Sequence, residues 1–365
     1  MGARQDSRVS TPAAARFGSR IATELVEVSH DLTRLSEGGM WAVSLPYSGL
    51  PVLARFARWG KGDLQDVAGP WRGPSEWSTS MDRERYQASV SQIRQDIATG
   101  RIYQANLCRI LSARLPDGCA RDIGGLHALL GRDNPAPYAG MLRLPDHGIH
   151  IASASPELFL RRYGDVVESA PIKGTAAKAD QLLEKDRAEN VMIVDLVRND
   201  LSRVCRPGSV EVPALLAIEE HPSLVHLVSR VRGRLHQDAS WTDLFEATFP
   251  PGSVTGAPKH TAIQVIAEQE PVPREAYCGA FGWVDADRGE AELAVSIRTF
   301  WISGSPDEPW VNFGTGAGIT WGSDPDQEWR ETQLKARHLI HVASGQWPGG
   351  ESATTPMHAG VRSSS

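Results

Sequence analysis

Features that define several classes of protein are scarce in this sequence of 365 residues. It has only four cysteines, Cys108, Cys119, Cys205 and Cys278, and no two of them form a CxxC pair. Because structural zinc sites use closely spaced thiolates, we expect no such site here. Scattered free thiols are typical of a reducing compartment such as the cytosol.

Long hydrophobic runs and an excess of basic charge are also missing. No stretch approaches the run of about 18 apolar residues that indicates a membrane span. The opening segment MGARQDSRVSTPAAARFG lacks the apolar centre of a secretory signal. Against 44 acidic residues there are 38 Lys and Arg, a net charge of −6 that argues against a general nucleic-acid-binding protein. We therefore expect a cytoplasmic protein without a membrane or nucleic-acid partner.

The remaining composition is that of an ordinary globular chain, with 41% hydrophobic and 22% charged residues. This is enough apolar material for a large core. Since neither a low-complexity linker nor an internal repeat is visible, we expect one domain over 18–344, with a loose leader over 1–17. Within it we separate a reduced N-terminal part, 18–80, from a core, 81–344. The Gly-, Pro- and Ser-containing tail over 345–365 is expected to be disordered.

Helix and strand patterns are mixed along the chain without regular βαβ alternation, which favours the α+β class. Tyr86, Val90, Ile93 and Ile97 form one apolar helix stripe. Thr79 with Asp82 resembles a capping box before it, and Gly100 ends it. Two further helices are predicted over 180–200 and from Ser323-Asp324-Pro325 to before Gly345.

Strands are predicted where apolar and polar residues alternate. Residues 291–302 are predicted as one strand, with Leu293, Val295, Ile297 and Thr299 on one face and Ala294, Ser296 and Arg298 on the other. The other predicted strands lie within 40–60 and at 149–154, 158–162 and 225–235.

Two acidic pairs with i, i+3 spacing, Asp186 with Glu189 and Glu328 with Glu331, each lie on one face of a predicted helix. If the two faces met, they would offer the oxygen ligands that Mg²⁺ prefers. The alternative is that each pair is a solvated helix face.

Two glycine-containing segments could bind anions, but neither matches a nucleotide motif. GTGAGITWG (314–322) has Ile319 where GxGxxG needs glycine, and FPPGSVTGAPKHTA (249–262) lacks GxxxxGK[ST]. Exposed amides of the first could bind a carboxylate. The alternatives are a strand-to-helix loop for the first segment and a Gly-Pro turn before a helix for the second.

Three isolated cationic or titratable residues also have two interpretations. Lys173 in PIKGT could be a nucleophile if it lies in an apolar pocket, or a solvated turn residue. Arg298 could bind a carboxylate through two hydrogen bonds, or form a surface salt bridge. His226 could act on a proton, although a packed histidine is the more common case for such a position.

Taken together, these segments resemble the chorismate-binding enzymes, a family that includes anthranilate synthase, aminodeoxychorismate synthase, isochorismate synthase and salicylate synthase. The resemblance runs from about Arg83 to His341 and is dense from Ile102. It rests on IYQANL (102–107), SPELF (155–159), PIKGT (171–175), DRAENVMIVDLVRNDLSRV (186–204), HLVSRVRG (226–233), PPGSVTGAPK (250–259), AFGW (280–283), SIRT (296–299) and GTGAG with EWRET (314–332). It implies the α+β fold of anthranilate synthase component I, with mixed or antiparallel sheets packed together and helices outside, and a chorismate-binding catalytic domain.

Two positions indicate the product within this family. Aminodeoxychorismate synthases carry PIKGT, whereas anthranilate synthases typically carry Ala in place of Lys173. Isochorismate and salicylate synthases carry a water-activating lysine where this chain has Gln104. The resemblance therefore implies that chorismate and ammonia form 4-amino-4-deoxychorismate, a precursor of 4-aminobenzoate and folate. Anthranilate synthesis, a secondary-metabolite amino-deoxychorismate synthase and a catalytically inactive chorismate-binding subunit are the alternatives.

The resemblance also implies roles for individual residues. Lys173 attacks C2 of chorismate, Glu157 protonates the leaving C4 hydroxyl, and His226 lies near the same hydroxyl. Mg²⁺ is expected at the acidic residues Asp186, Glu189, Glu328 and Glu331. The residues expected to bind the substrate are Thr175, Ser253, Trp283, Arg298, Gly316, Ala317 and Gly318.

An ammonia source is implied as well. None of the four cysteines lies in the nucleophile motif of a class I glutamine amidotransferase. The resemblance therefore implies a separate glutaminase subunit as the partner.

Overall fold

Antiparallel strand pairing organises the fold. The computed structural model describes residues 11–63, 69–116, 122–176, 178–181, 184–221 and 224–345. Within these ranges the strands are β1 Ala14–Phe17, β2 Arg20–Ser29, β3 Met40–Leu45, β4 Val52–Lys61, β5 Ser78–Thr79, β6 Gln104–Arg114, β7 Tyr138–Leu144, β8 Ile149–Ser155, β9 Leu158–Tyr163, β10 Val166–Ala170, β11 Ile172–Ala176, β12 Glu211–His221, β13 Leu224–Arg234, β14 Gly256–Ala257, β15 Ala280–Asp285, β16 Glu290–Val295, β17 Thr299–Gly304 and β18 Pro309–Ile319. The helices are α1 Arg83–Ala98, α2 Ile123–Asp133, α3 Glu184–Ser202, α4 Trp241–Thr248, α5 Lys259–Gln269 and α6 Pro325–Ala343.

The strands follow one another in a continuous antiparallel series. One half runs β6, β18, β17, β8 and β7, with β5 and β14 also paired to β6. Strand β1 joins this half to the other by pairing with β7 and β2. The other half runs β2, β4, β3, β15, β16, β9, β10 and β13, and β13 also pairs with β11 and β12. The predicted α+β class with antiparallel sheets is confirmed.

The two halves pack face to face around the largest apolar cluster. Ile110, Leu142 and Ile151 from the first half share this cluster with Trp41, Leu160 and Leu293 from the second. The outer face of the first half is covered by α2 and α6, and a third cluster joins α1 and α5 to β6 and β18. The helices thus lie outside the sheets, as predicted, because each has one apolar stripe to bury.

Helix ends follow the local chemistry of the sequence. The carboxylate of Asp324 caps α6, with Pro325 in the first turn as predicted. For α1 the capping prediction is wrong in detail, because Asp82 alone is the N-cap and accepts from the Arg85 amide. The Thr79 hydroxyl instead donates to the carbonyl of Met81. Gly100, at φ 76°, follows the end of α1 as expected.

Three other predictions differ from the structure. Residues 14–17 of the expected leader form β1, while residues 1–10 and the tail from 346 lie outside the described part. Residues 291–302 do not form one strand but split into β16 and β17. Residues 314–319 are not a loop but the end of β18. The division of 291–302 into two strands has a local cause, because Arg298 adopts φ 52°, which interrupts the extended chain.

The described cysteines, Cys108, Cys205 and Cys278, are buried free thiols, and Cys119 lies outside the described residues. Among the helices described, none is long and apolar enough to span a membrane.

Candidate active site

Lys173 stands on β11, which crosses one face of the N-terminal half of α3. Ile172 pairs with Val228 on β13, and the ladder resumes at Thr175 opposite His226. Between them Gly174 has φ 82°, and a Cβ there would lie 2.8 Å from the Cβ of Asp186. Glycine is needed for both reasons, since it accepts a left-handed conformation and lets α3 approach the strand. This close approach brings Lys173 to the acidic face of α3.

The Lys173 amine is enclosed rather than solvated. Its side chain is 14% exposed, and Nζ lies 3.8 Å from Oε2 of Glu189. A Cβ at Gly318 of β18 would lie 3.4 Å from the same Nζ. Lys173 therefore sits between α3 and the glycine face of β18, which excludes the solvated turn as its environment.

Gly318 leaves the space beside this amine open, and the other two glycines of β18 let neighbouring groups approach the strand closely. Gly314, Gly316 and Gly318 alternate with Thr315, Ala317 and Ile319, so the three glycines share one face of the strand. Ala317 and Ile319 pack in the cluster with α1 and α5. Cβ atoms at the glycines would meet the Tyr277 ring, the Cys108 Sγ and the Gln104 amide, at 2.0, 2.7 and 2.7 Å.

The strand geometry also limits how these amides could bind a carboxylate. Residues 314–319 pair in regular antiparallel register with β6. Successive amides of a strand point to opposite edges. The amides of Gly316 and Gly318 can therefore face one ligand together, whereas that of Ala317 points to the other edge. The assignment of Gly316, Ala317 and Gly318 to substrate binding stays a prediction.

The predicted meeting of two acidic helix faces is present, with lysines between the carboxylates. Nζ of Lys185 lies 3.6 Å from Oε1 of Glu189 on α3 and 3.1 Å from Oε1 of Glu328 on α6. Lys335 pairs with Glu331 at 2.6 Å. Among the described residues no three acidic, His or Cys side chains are close enough to form a ready metal cage. The fourth acid, Asp186, lies beside Gly174.

Glu157 lies in the turn between β8 and β9 with its side chain buried. Its backbone is fixed on both sides, because its carbonyl accepts from the Val295 amide and its own amide donates to the Ser155 hydroxyl. Burial raises the pKa of the Glu157 carboxyl to about 7. The Ser253 hydroxyl, the Lys173 charge and the Ile172 amide oppose this rise without cancelling it. The structure thus places the Ser253 hydroxyl and the Lys173 charge at the Glu157 carboxyl group.

Arg298 presents a partly buried cation without a counter-charge. Burial lowers the pKa of its guanidinium, and no carboxylate among the described residues pairs with it. Its carbonyl accepts from Ala154, three residues before Glu157. A surface salt bridge is therefore excluded within the described structure. An unpaired guanidinium is suited to an anionic ligand.

The other residues predicted for the site are His226, Thr175 and Trp283. His226 is 2% exposed and lies opposite Thr175 in the ladder, two residues along from Lys173. The Thr175 side chain lies outside the described part. The Trp283 ring packs beneath the Arg20 guanidinium at 4.2 Å. No hydrogen bond of the described residues joins Trp283 to Lys173 or Glu157, so its role stays a prediction.

The residues missed in the sequence are Lys185 and Lys335. Each is four residues from a predicted acid, Glu189 and Glu331 respectively, and this spacing was a usable signal. In the sequence, Gln104 served only to distinguish this chain from isochorismate and salicylate synthases. In the structure its Oε1 is buried and receives no hydrogen bond from the described residues, while its Nε2 lies near Gly318.

Lys259, in the segment that superficially suggested a phosphate loop, has a structural partner. Its Nζ donates to Asp200 at 2.6 Å and to the carbonyl of Thr248 at 3.2 Å. Asp200 and Thr248 also line a small cavity beside Glu157 and Ser253. Lys259 thus joins α3, α4 and α5 behind the site, and the turn-to-helix interpretation of its segment is confirmed.

A family model described as chorismate binding enzyme matches residues 64–341, and the chain belongs to this family. The chain is 36% identical over 300 residues to aminodeoxychorismate synthase component 1 of Salmonella typhimurium, covering 79% of this chain and 63% of that protein. It is 38% identical over 280 residues to anthranilate synthase component 1 of Streptomyces coelicolor, covering 73% and 53%. The chain thus spans less than two thirds of the length of these relatives.

Solved structures show the same fold. Anthranilate synthase component I from Streptococcus pneumoniae superposes with a TM-score of 0.73 at 22% identity, covering 93% of this chain and 95% of that one. The menaquinone-specific isochorismate synthase from Escherichia coli gives 0.75 at 20% identity, covering 91% and 89%. These likenesses confirm the architecture.

Proposed function

We propose that this chain is the chorismate-aminating component of a 4-amino-4-deoxychorismate synthase. The observation that carries the proposal is the enclosed amine of Lys173, between Glu189 and the bare face of Gly318 and in the electrostatic range of Glu157. In this proposal Lys173 is the nucleophile and Glu157 is the proton donor. The pathway that would use the product is the formation of 4-aminobenzoate and folate.

The proposed reaction proceeds in two balanced substitutions. The Lys173 amine forms a bond to C2 of chorismate, the ring double bonds shift, and the C4–O bond breaks. Glu157 gives its proton to the departing oxygen, and water leaves. Ammonia then forms the C4–N bond, the double bonds shift back, and the C2–N bond to Lys173 breaks. Lysine is regenerated, and the amine stands at C4.

Charge complementarity supports binding of a dianion. The unpaired guanidinium of Arg298 would bind one carboxylate of chorismate through two parallel hydrogen bonds. The amides of Gly316 and Gly318 share one edge of β18 and would bind the other carboxylate. Ser253 hydrogen-bonds Glu157 and would hold its carboxyl group toward the reacting oxygen. His226 stays a prediction for the neighbourhood of the same hydroxyl.

The acidic residues supply the type of oxygen ligand that a divalent cation prefers. Enzymes of this family generally use Mg²⁺. Glu189 and Glu328 already share one cation, the ammonium group of Lys185, and Oε2 of Glu328 is buried with no partner among the described residues. Glu189, Glu328 and Glu331, with Asp186 nearby, would hold Mg²⁺ through the hard oxygen donors it prefers. The bound ion would neutralise a substrate carboxylate and draw electron density from the ring.

Ammonia would come from a separate glutamine amidotransferase subunit. Several relatives are named component 1, which implies a second component. With excess ammonium salt we expect the isolated chain to act without that partner.

Anthranilate synthesis is the second candidate, because relatives named anthranilate synthase match as well as those named aminodeoxychorismate synthase. In that reaction ammonia would attack C2 directly, and Lys173 would have no covalent role. The product therefore separates the two functions.

The decisive experiment is to incubate the purified chain with chorismate, MgCl₂ and ammonium sulfate, with and without an aminodeoxychorismate lyase. We expect 4-aminobenzoate only where the lyase is present, identified by chromatography and mass. Lys173→Ala should lower its formation by more than about 100-fold, because the covalent path is lost.

Lys61→Ala on β4 is the control, since it removes an exposed lysine outside the site. Formation of anthranilate by the wild-type chain would reject the proposal in favour of the second candidate. A Lys173→Ala variant with the rate of Lys61→Ala would remove the lysine from the mechanism. No turnover by any variant, with Mg²⁺-dependent chorismate binding retained, would support an inactive binding subunit.

A further inference from the structure

Lys185 is a single cation shared by two helices. It lies one turn before Glu189 on α3, and its ammonium group reaches across to Glu328 on α6. It also donates a hydrogen bond to Oε1 of Glu328 at 3.1 Å. No other ion pair of the described residues joins a carboxylate of α3 to one of α6 through one side chain.

The burial of the three partners is unequal. The side chains of Glu189 and Glu328 are 12% and 4% exposed, whereas that of Lys185 is 42% exposed. Two enclosed carboxylates would repel each other strongly without a cation between them. The lysine can swing toward solvent without repacking the core, whereas the carboxylates have no comparable exit.

We propose that Lys185 is a tethered counter-ion of the Glu189–Glu328 pair, which holds the two carboxylates together in the metal-free protein and must leave when a divalent cation binds. This inference rests on the magnesium assignment of the proposed function. It adds a residue outside the assigned ligands that sets the affinity of the site for the ion. Lys173, at 14% exposure and 3.8 Å from Glu189, is too enclosed to take this role.

The proposal has two physical consequences. Because a resident ammonium group competes with the incoming ion for the same oxygens, removing it strengthens metal binding. Because the same group neutralises two carboxylates, removing it destabilises the metal-free protein. Removing a solvated surface lysine without these ion pairs would produce neither effect.

The test compares Lys185→Met with wild type by titrating Mn²⁺ into each protein without chorismate and measuring free Mn²⁺ by electron paramagnetic resonance. We expect Lys185→Met to bind Mn²⁺ at least about tenfold more tightly. Its melting temperature in EDTA should fall by several degrees, and saturating Mn²⁺ should restore it. Lys185→Arg, which keeps the charge, should have a Mn²⁺ affinity and a melting temperature in EDTA close to the wild-type values.

Arg187→Met is the matched control, since it removes a cation from the same helix that lies 4.0 Å from the exposed Glu184. It should leave Mn²⁺ affinity unchanged. Equal affinity of Lys185→Met and Arg187→Met for Mn²⁺ would overturn the counter-ion proposal while leaving the magnesium assignment intact. Absence of Mn²⁺ binding in wild type and in Lys185→Met would overturn both.

Discussion

Burial gives Glu157 a proton near neutral pH. The carboxyl group is enclosed, and its removal from water raises the pKa to about 7 despite the Lys173 charge and the Ser253 hydroxyl. A carboxyl group with this pKa can donate a proton near neutral pH, whereas an exposed glutamate is already ionised.

The protonation of Glu157 should make catalysis depend on pH. An acid is active when protonated, so kcat/KM should fall as the pH rises through about 7, by about tenfold for each further pH unit. Glu157→Gln should lower kcat/KM by about 100-fold or more and remove this limb of the profile. The measurement is the rate of chorismate consumption from pH 5.5 to 9 at saturating ammonia, corrected for the ionisation of ammonium.

Glu246→Gln on α4 is the control, since this glutamate is exposed and should retain the wild-type profile. A Glu157→Gln variant with the same alkaline limb would assign the ionisation to another group.

Strand β18 contributes to the candidate site through glycines, which have no side chain to fill the space beside the strand. Its pairing with β6 is continuous over Trp310–Ile319, so backbone position is fixed by the ladder. The absence of a side chain at Gly318 leaves room beside Lys173, while Ala317 and Ile319 on the other face anchor the strand in the core. The backbone of β18 is therefore held rigidly while the space beside Gly318 stays free of side chains from this strand.

This arrangement predicts that Gly318→Ala impairs chorismate binding more than folding. The new Cβ would lie 2.7 Å from Nε2 of Gln104, so the Gln104 amide must shift, and it would fill the space 3.4 Å from Nζ of Lys173. We expect KM for chorismate to rise at least about tenfold, with a loss of stability of about 1–3 kcal/mol from crowding. Steady-state kinetics and urea unfolding measure the two effects.

Gly322→Ala provides the comparison, because nothing lies within 4 Å of a Cβ at that position. If Gly318→Ala kept the KM of Gly322→Ala, the space beside Lys173 would not be where the substrate binds.

At the scale of the whole molecule, β1 links the two halves of the antiparallel series. A buried ion pair supports this joint: Arg143 on β7 donates to Asp122, the N-cap of α2, at 2.6 Å, with both side chains nearly fully enclosed. Arg143 also donates to the carbonyl of Pro12, just before β1. One guanidinium thus fixes a strand, a helix end and the start of the described chain.

We predict that Arg143→Met lowers the free energy of unfolding by about 3–5 kcal/mol, because Asp122 is left buried without its cation. Arg58→Met, which breaks an exposed pair with Glu24, should cost less than about 1 kcal/mol. Urea unfolding followed by tryptophan fluorescence measures both. Similar losses for the two variants would show that the buried pair adds nothing to the joint.

The sequence by itself determined several of the elements and the chemical inventory. Apolar periodicity predicted α1, and the Asp324-Pro325 start predicted α6, because these signals are local in the chain. The motifs named Lys173, Glu157, Glu189 and Arg298 as candidates. The family resemblance and the α+β class also followed from the sequence and are confirmed.

Only the tertiary structure decided which of these residues meet and in what state of charge. The left-handed backbone of Arg298 divides a pattern that alternates without interruption, and the pairing of β18 with β6 turns an expected glycine loop into a strand. Lys185 acquires its position through contact with a helix more than 140 residues away in the chain, at Glu328. Alternation and spacing describe neighbours along the chain, whereas burial and charge pairing depend on neighbours in space, and for that reason the sequence could not supply them.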